Sequence, residues 1–303
     1  MSTAPQLFDR RLLDMRRRRA VRQTGTQAGG DGTADFLLAH AADDLASRLS
    51  VVTRRFERVV DLGTPGDHAR RVLAARGALT VHAARDVSNG GGLQVLADEE
   101  ALPFADGSLD LVVSLLSLQF VNDLPGTLAQ VRRALKPDGL FLAALIGGDT
   151  LTELREAFAE AESVVEGGVS PRVAPFVDVR SLGGLLQRAG FALPVVDSDR
   201  LTVRYDSAYD LMRDLRRMGA TNILRERRRA PLRRETLAQV LQVYSDNFSD
   251  SDRRVHATFE IVWLSGWAPH ASQQQPLKPG SATVRLADVL GDRSGDPGGR
   301  RGS

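Results

Sequence analysis

Three stretches of this 303-residue chain carry side chains whose types and spacing could do chemistry. The first, Val60-Asp61-Leu62-Gly63-Thr64-Pro65-Gly66-Asp67, sets the Asp61 carboxylate near the end of an apolar run and follows it with Gly63 and Gly66. Such a turn lets the backbone approach a bound molecule; a merely tight strand-to-helix turn is the alternative. The second stretch supplies the acids Asp86, Asp98 and Glu99, in loops after the next two apolar runs. A carboxylate there can accept from sugar hydroxyls or an exocyclic amine, or serve only as a loop or turn residue. The third is Gly147-Gly148-Asp149-Thr150-Leu151-Thr152-Glu153, where Asp149 and Glu153 could receive a guanidinium fork. Their alternative is structural: Asp149 or Thr150 caps a helix and Glu153 completes a capping box. Gln119 and Asn122, after another apolar run, either line the same side or sit on a helix surface.

The elements that must hold these groups are short β-type runs alternating with helical stretches. Strands are expected at Val59 to Leu62, Leu79 to Ala83, Leu93 to Leu96, Leu109 to Ser114 and Leu140 to Ile146, with crossover-length segments between them. That is the pattern of a doubly wound parallel sheet, whose ligands lie beyond the carboxyl ends of the strands. Helices are expected at Phe36 to Leu49, Ala69 to Arg76 and Leu124 to Leu135, the last ended by Lys136-Pro137-Asp138-Gly139. The second half adds helices at Thr150 to Glu166, Ser181 to Ala189, Tyr209 to Met218 and Glu235 to Asn247, with extended segments at Leu193 to Tyr205 and Thr258 to Trp267. Four parts follow: a basic helical arm and flexible linker (1–33), a core (34–149), a helical cap with strands that complete the sheet (150–290), and a disordered tail (291–303).

Composition narrows the chemistry. With 42% hydrophobic and 26% charged residues the chain reads as a soluble globular protein, and no run reaches the ~18–20 apolar residues of a membrane span. Cysteine is absent, which excludes disulfides, thiolate metal sites and a cysteine nucleophile. His40, His68, His256 and His270 are scattered without metal spacing, His82 reads as a core residue, and no metal site is expected. Nearly all of the 40 basic residues are arginines, lysine occurring only at Lys136 and Lys278, and the net charge of +2 does not point to nucleic acid. The run Arg16-Arg17-Arg18-Arg19 reads as a solvated helix face, or else as a contact for an acidic protein or membrane surface.

The order of these motifs resembles class I S-adenosylmethionine-dependent methyltransferases, a Rossmann-like α/β fold with a seven-stranded, mostly parallel sheet. The carriers are the turn at Gly63, the segment Leu96-Ala97-Asp98-Glu99-Glu100-Ala101-Leu102-Pro103-Phe104, and Leu135-Lys136-Pro137-Asp138-Gly139-Leu140. The resemblance implies S-adenosylmethionine as cofactor, with Asp61, Gly63, Gly66, Asp86, Asp98, Glu99 and Ser114 around it. Asp86 would face the ribose and Asp98 the adenine amine. Pro65 and Asp67 depart from the superfamily's glycines, and proline also removes an N–H. The sequence Ser114-Leu115-Leu116-Ser117 lacks the Asn/Asp-Pro-Pro-aromatic motif of base methylation.

A narrower resemblance covers roughly residues 7 to 290. Phe8-Asp9-Arg10, Leu96 to Pro125, Gly147 to Arg155, Met218-Gly219-Ala220-Thr221-Asn222 and Gly280-Ser281-Ala282-Thr283-Val284 are similar to NADH:ubiquinone oxidoreductase complex assembly factor 5. This implies modification of an arginine on a respiratory complex I subunit, by hydroxylation or methylation. The setting would be the cytoplasm or the periphery of the inner membrane, and the mitochondrial matrix in eukaryotic relatives. Asp149 and Glu153 would then be the substrate contacts. Two other functions share the pattern: malonyl-carrier-protein O-methyltransferase of biotin synthesis, and a non-catalytic assembly chaperone that keeps the fold for docking.

Overall fold

The computed structural model describes residues 6–26, 35–86 and 92–273. Strands β1 (Arg58–Leu62), β2 (Leu79–Ala84), β3 (Leu93–Leu96), β4 (Leu109–Leu115), β5 (Leu135–Ile146), β6 (Ala192–Tyr205) and β7 (Val255–Trp267) form one sheet in the order β3-β2-β1-β4-β5-β7-β6. The first five pair in parallel, and β7 runs antiparallel to both β5 and β6. Each expected strand is present, and the strand order reverses at β1 and β4. The reversal leaves a crevice at their carboxyl ends, where ligands of such sheets bind.

Eight helices are found among the described residues: α1 (Arg10–Thr26), α2 (Phe36–Ser50), α3 (His68–Ala75), α4 (Leu124–Ala134), α5 (Thr152–Glu166), α6 (Val179–Arg188), α7 (Ala208–Arg217) and α8 (Arg234–Phe248). Alternation along the central strands explains the layers. On β4, Leu111, Val113 and Leu115 join one core with residues of α2, α3, α5, α7 and α8, while Val112 joins the opposite core with α4 and α6. β4 is buried at every position, as a strand covered on both faces must be.

Two expectations change. β5 starts at Leu135 rather than Leu140, because Leu135 pairs with Leu109 and the proline segment is absorbed as a register shift before Leu140 meets Leu111. Asp138, at φ 64°, donates its N–H to Ala268 O at 3.0 Å, so the strand continues through the Pro-Asp-Gly signal. α1 runs to Thr26, into the stretch expected as linker from residue 23. The rest of that linker beyond Thr26, Gly280 to Val284 and the tail 291–303 lie outside the described residues.

The chain to Pro269 forms one compact unit. Residues 270–273, which belong to a second, make a short turn in which Gln273 N donates to His270 O at 3.1 Å. No helix among the described residues is long and apolar enough to cross a membrane.

Candidate functional site

At the end of β1 the Asp61 carboxylate is buried, with Oδ2 2.8 Å from Nδ1 of buried His82 on β2, and Oδ1 has no hydrogen-bond partner. The chain then turns at Gly63, whose φ of 69° is left-handed. A Cβ there would lie 2.6 Å from both Glu99 Oε1 and Ser117 Oγ, so only glycine fits. Thr64 Oγ1 accepts from Leu115 N at 2.9 Å and ties the turn to β4. Ser114, expected at the cofactor, instead donates to Leu62 O at 2.7 Å and is fully buried. Its side chain locks β1 to β4 and lines neither cavity described below.

The acids after β2 and β3 converge, and α1 meets them. Arg10, itself buried, places Nη1 2.5 Å from Asp98 Oδ1 and 3.2 Å from Glu100 Oε2, and its Nη2 pairs with buried Glu99. Arg85 reaches Asp98 Oδ2 at 2.5 Å and Asp14 of α1 at 3.0 Å. Arg18 Nε donates to Asp86 Oδ2 at 2.8 Å. The arginines of α1 are thus only partly a solvated face. Arg10, Asp14, Arg17 and Arg18 recur at helical spacing, which turns one side of α1 onto the strand ends. Gly219, at φ 70°, permits the approach: a Cβ there would lie 3.1 Å from Arg17 Cα. Phe8 anchors the start of α1, with its N–H on Asn122 Oδ1 at 2.8 Å and its ring packed near Leu13, Ile223 and Leu224.

Burial pushes the Asp98 carboxyl up, but the Glu100 N–H and the Arg10 and Arg85 guanidiniums outweigh it and hold it below the ordinary carboxylate value. A carboxyl depressed in the folded state stabilises above its unfolded pKa and loses that contribution as pH falls through the folded one. Hydrogen exchange should therefore show α1 protected at neutral pH and still docked through the ordinary aspartate range. Release is expected only at more acid pH, and release between neutrality and the ordinary range would contradict the pairing.

Two cavities abut here. The smaller, about 110 Å³, lies between the β1 turn and the acids and is lined by Gly63, Gly66, Ala84, Asp86, Glu99 and Arg10 among others. The larger, about 710 Å³, is walled by apolar residues such as Leu37, Leu116, Leu154, Phe158, Met212 and Phe259. Arg17, Val21, Pro65, Gly66 and Phe120 line both. Two buried atoms of the larger chamber's walls, Gln119 Oε1 and His68 Nδ1, have no hydrogen-bond partner. Of the two roles open to it, Gln119 takes the lining position rather than the helix surface, whereas Asn122 is occupied with Phe8.

An adenosyl group fits the chemistry of the smaller site. A left-handed glycine turn with Asp86 and Glu99 at the ends of β2 and β3 lines it, as a nucleoside with an amino-acid tail requires, whereas Asp61, with its orphaned oxygen, and Asp98 stand behind that lining. Pro65 borders the space without filling it. α1 does the narrowing, since its arginines hold the carboxylates and leave a volume below the roughly 300 Å³ of a small-molecule site.

The expected substrate acids are placed elsewhere. Asp149 is exposed and pairs with Arg200 on the surface. Glu153 is buried and accepts from Thr258 N at 3.1 Å and from Thr258 Oγ1, so it fastens α5 to β7. Neither caps α5, whose N-cap is Leu151 at φ 55° with no side-chain bond, and neither lines a cavity. Asp149→Ala should change unfolding free energy by less than about 0.5 kcal/mol. Glu153→Ala should cost about 1–3 kcal/mol by stranding the half-buried Thr258 donors beside a buried carboxylate site, as measured by urea denaturation. Equal effects from the two would contradict this placement.

Residues 66–143 match the model of a methyltransferase domain. The chain is 39% identical to arginine-hydroxylase NDUFAF5 of Danio rerio, over 84% of this chain and 82% of the relative. It is 38% identical to the Homo sapiens protein of that name, over 95% and 85% respectively. It is also 34% identical to the malonyl-[acyl-carrier protein] O-methyltransferase of Laribacter hongkongensis, over 84% and 90%. Among solved structures, the YcgJ protein of Bacillus subtilis superposes with a TM-score of 0.52 at 14% identity, covering 77% of this chain and 99% of that one.

Proposed function

From the premise that this chain belongs to the NDUFAF5 arginine-hydroxylase family, carried on a methyltransferase fold, we propose that it is an enzyme modifying an arginine side chain of a respiratory complex I subunit during assembly. Hydroxylation is the activity in the relatives' name; methylation is the alternative. One observation carries the reading: a nucleoside-type acid cluster and an acceptor-sized chamber share a wall at the carboxyl ends of β1 and β4. For the methylation alternative, S-adenosylmethionine, when bound, would supply an electrophilic methyl group and leave this chain the work of alignment, which can contribute on the order of 7–11 kcal/mol. Hydroxylation would instead take its oxygen atom from an added oxidant such as dioxygen, with a reductant to balance the second oxygen atom.

In this reading the Gly63 and Gly66 turn brings backbone close to the ligand's amino-acid part, Asp86 accepts from ribose hydroxyls and Asp98 from the adenine amine. The arginine heads of α1 must leave Asp98 and Asp86 for this to happen, which makes α1 part of loading. On the acceptor side, Gln119 Oε1 is a free acceptor for a guanidinium N–H, and Asp35 is the one carboxylate lining the chamber among the described residues.

Calorimetry with S-adenosylmethionine tests the cofactor half. Wild-type protein should bind, and Asp98→Ala should weaken binding by about 1–3 kcal/mol. Unchanged affinity removes Asp98 from the adenine site. No heat or thermal shift at saturating ligand supports the chaperone instead. Biotin rescue of a deletion strain would move the assignment to the carrier-protein enzyme.

A further inference from the structure

The large chamber has more room than an arginine side chain alone would fill. At about 710 Å³ it has the size of a site for a whole organic molecule. Among the described residues its walls carry Arg17, Arg172, Arg216 and Arg217 against the single acid Asp35, which is exposed. Arg172 is spoken for by buried Glu162 at 2.7 Å. Arg17 is not: among the described residues no carboxylate lies within ion-pair distance. Its Nη2 reaches only Leu116 O, at 3.5 Å, and its guanidinium lies 5.8 Å from the centre of the Phe120 ring. Burial lowers its pKa, and the fields of Glu99 and Asp14 offset only part of that. A cation so placed gains from an anion brought into the same apolar space.

We propose that this chamber binds a single-chain fatty carboxylate, its chain along the Leu116, Leu154, Phe158, Met212 and Phe259 wall and its head on Arg17, with His68 as a second donor. Arg216, which also lacks a carboxylate partner among the described residues, is exposed to water, so the half-buried Arg17 is the charge the apolar space leaves least solvated, and a singly charged carboxylate matches it better than a phosphate. The orphaned Nδ1 of His68 donates to that head when it carries the proton. The site goes beyond arginine modification and does not depend on it.

The test titrates the full-length protein, without S-adenosylmethionine, with decanoate, 1-decanol, decylamine and decyl phosphate below their micellar concentrations. Decanoate should bind saturably at one site, and decylamine about tenfold or more weaker, the scale of one charge-assisted hydrogen bond. Arg17→Gln should erase the preference for decanoate over decanol while decanol still binds. Met212→Trp, which fills the space, should weaken both, and Arg11→Gln, on the exposed face of α1, should change neither. Absence of saturable decanoate binding, equal binding of decylamine, or a preference that survives Arg17→Gln would overturn the proposal. Tighter binding of decyl phosphate would overturn the carboxylate head. Because no cofactor is present, failure here leaves the enzyme reading standing, and failure of S-adenosylmethionine binding leaves this one standing.

Discussion

Arg10→Ala is expected to lower stability by about 3–5 kcal/mol, the cost of breaking a buried ion pair by removing one partner. The guanidinium serves Asp98, Glu99 and Glu100 at once, and Glu99 is only 4% exposed, so its charge is left buried without that cation. The double variant Arg10→Met, Glu99→Gln removes both charges and should recover most of the loss. Urea denaturation followed by circular dichroism reads the stability, and hydrogen exchange shows whether α1 loosens first. The substitution also releases Asp98 Oδ1 from Arg10 while Arg85 keeps Oδ2, so affinity for S-adenosylmethionine should hold or rise below the unfolding transition. A stability change under about 1 kcal/mol would reduce the pair to a surface contact. A fall in affinity would place Arg10 in the pocket as a ligand.

Gly63→Ala should cost about 2–5 kcal/mol and abolish adenosyl binding. The left-handed backbone disfavours any Cβ by roughly 1–2 kcal/mol, and overpacking adds roughly 1–3 kcal/mol. The added methyl would meet Glu99 Oε1 and Ser117 Oγ at 2.6 Å, and Glu99 cannot yield while Arg10 holds it. Gly66→Ala is the contrast. Its φ is 71°, but its Cβ would find only His68 Nδ1 at 3.5 Å, so the backbone part alone should appear. Thermal denaturation of the two variants separates strain from crowding. Equal losses would mean that the Gly63 turn relaxes around the methyl.

The sheet was legible in the sequence because its signals are local: apolar runs such as Val112 and Val113, punctuated by Gly77 and by the Asp123-Leu124-Pro125 start of α4. The β5 start was not, since Pro137 and Gly139 read as a break and only the pairing of Leu135 with distant Leu109 makes that segment strand. The acids at Asp86, Asp98 and Glu99 were legible by position, but their partners were not. Arg10 lies 88 residues from Asp98, and among so many arginines one more carries little signal. The misplacement of Asp149 and Glu153 has the same origin: Arg200 and Thr258 reach them from strands far along the chain. Spacing showed that they were close to each other, and could not show which element would take each carboxylate.

The most direct test of an arginine-modifying enzyme working through this site is peptide mass spectrometry of complex I subunits from cells with the wild-type gene, without it, and with Asp98→Ala. The account predicts one arginine heavier by an oxygen, or by a methylene if the chemistry is methyl transfer. That mark should be present with the wild-type gene, absent on deletion and largely absent with the variant. An identical arginine in all three strains, with complex I assembly lost only on deletion, would contradict it.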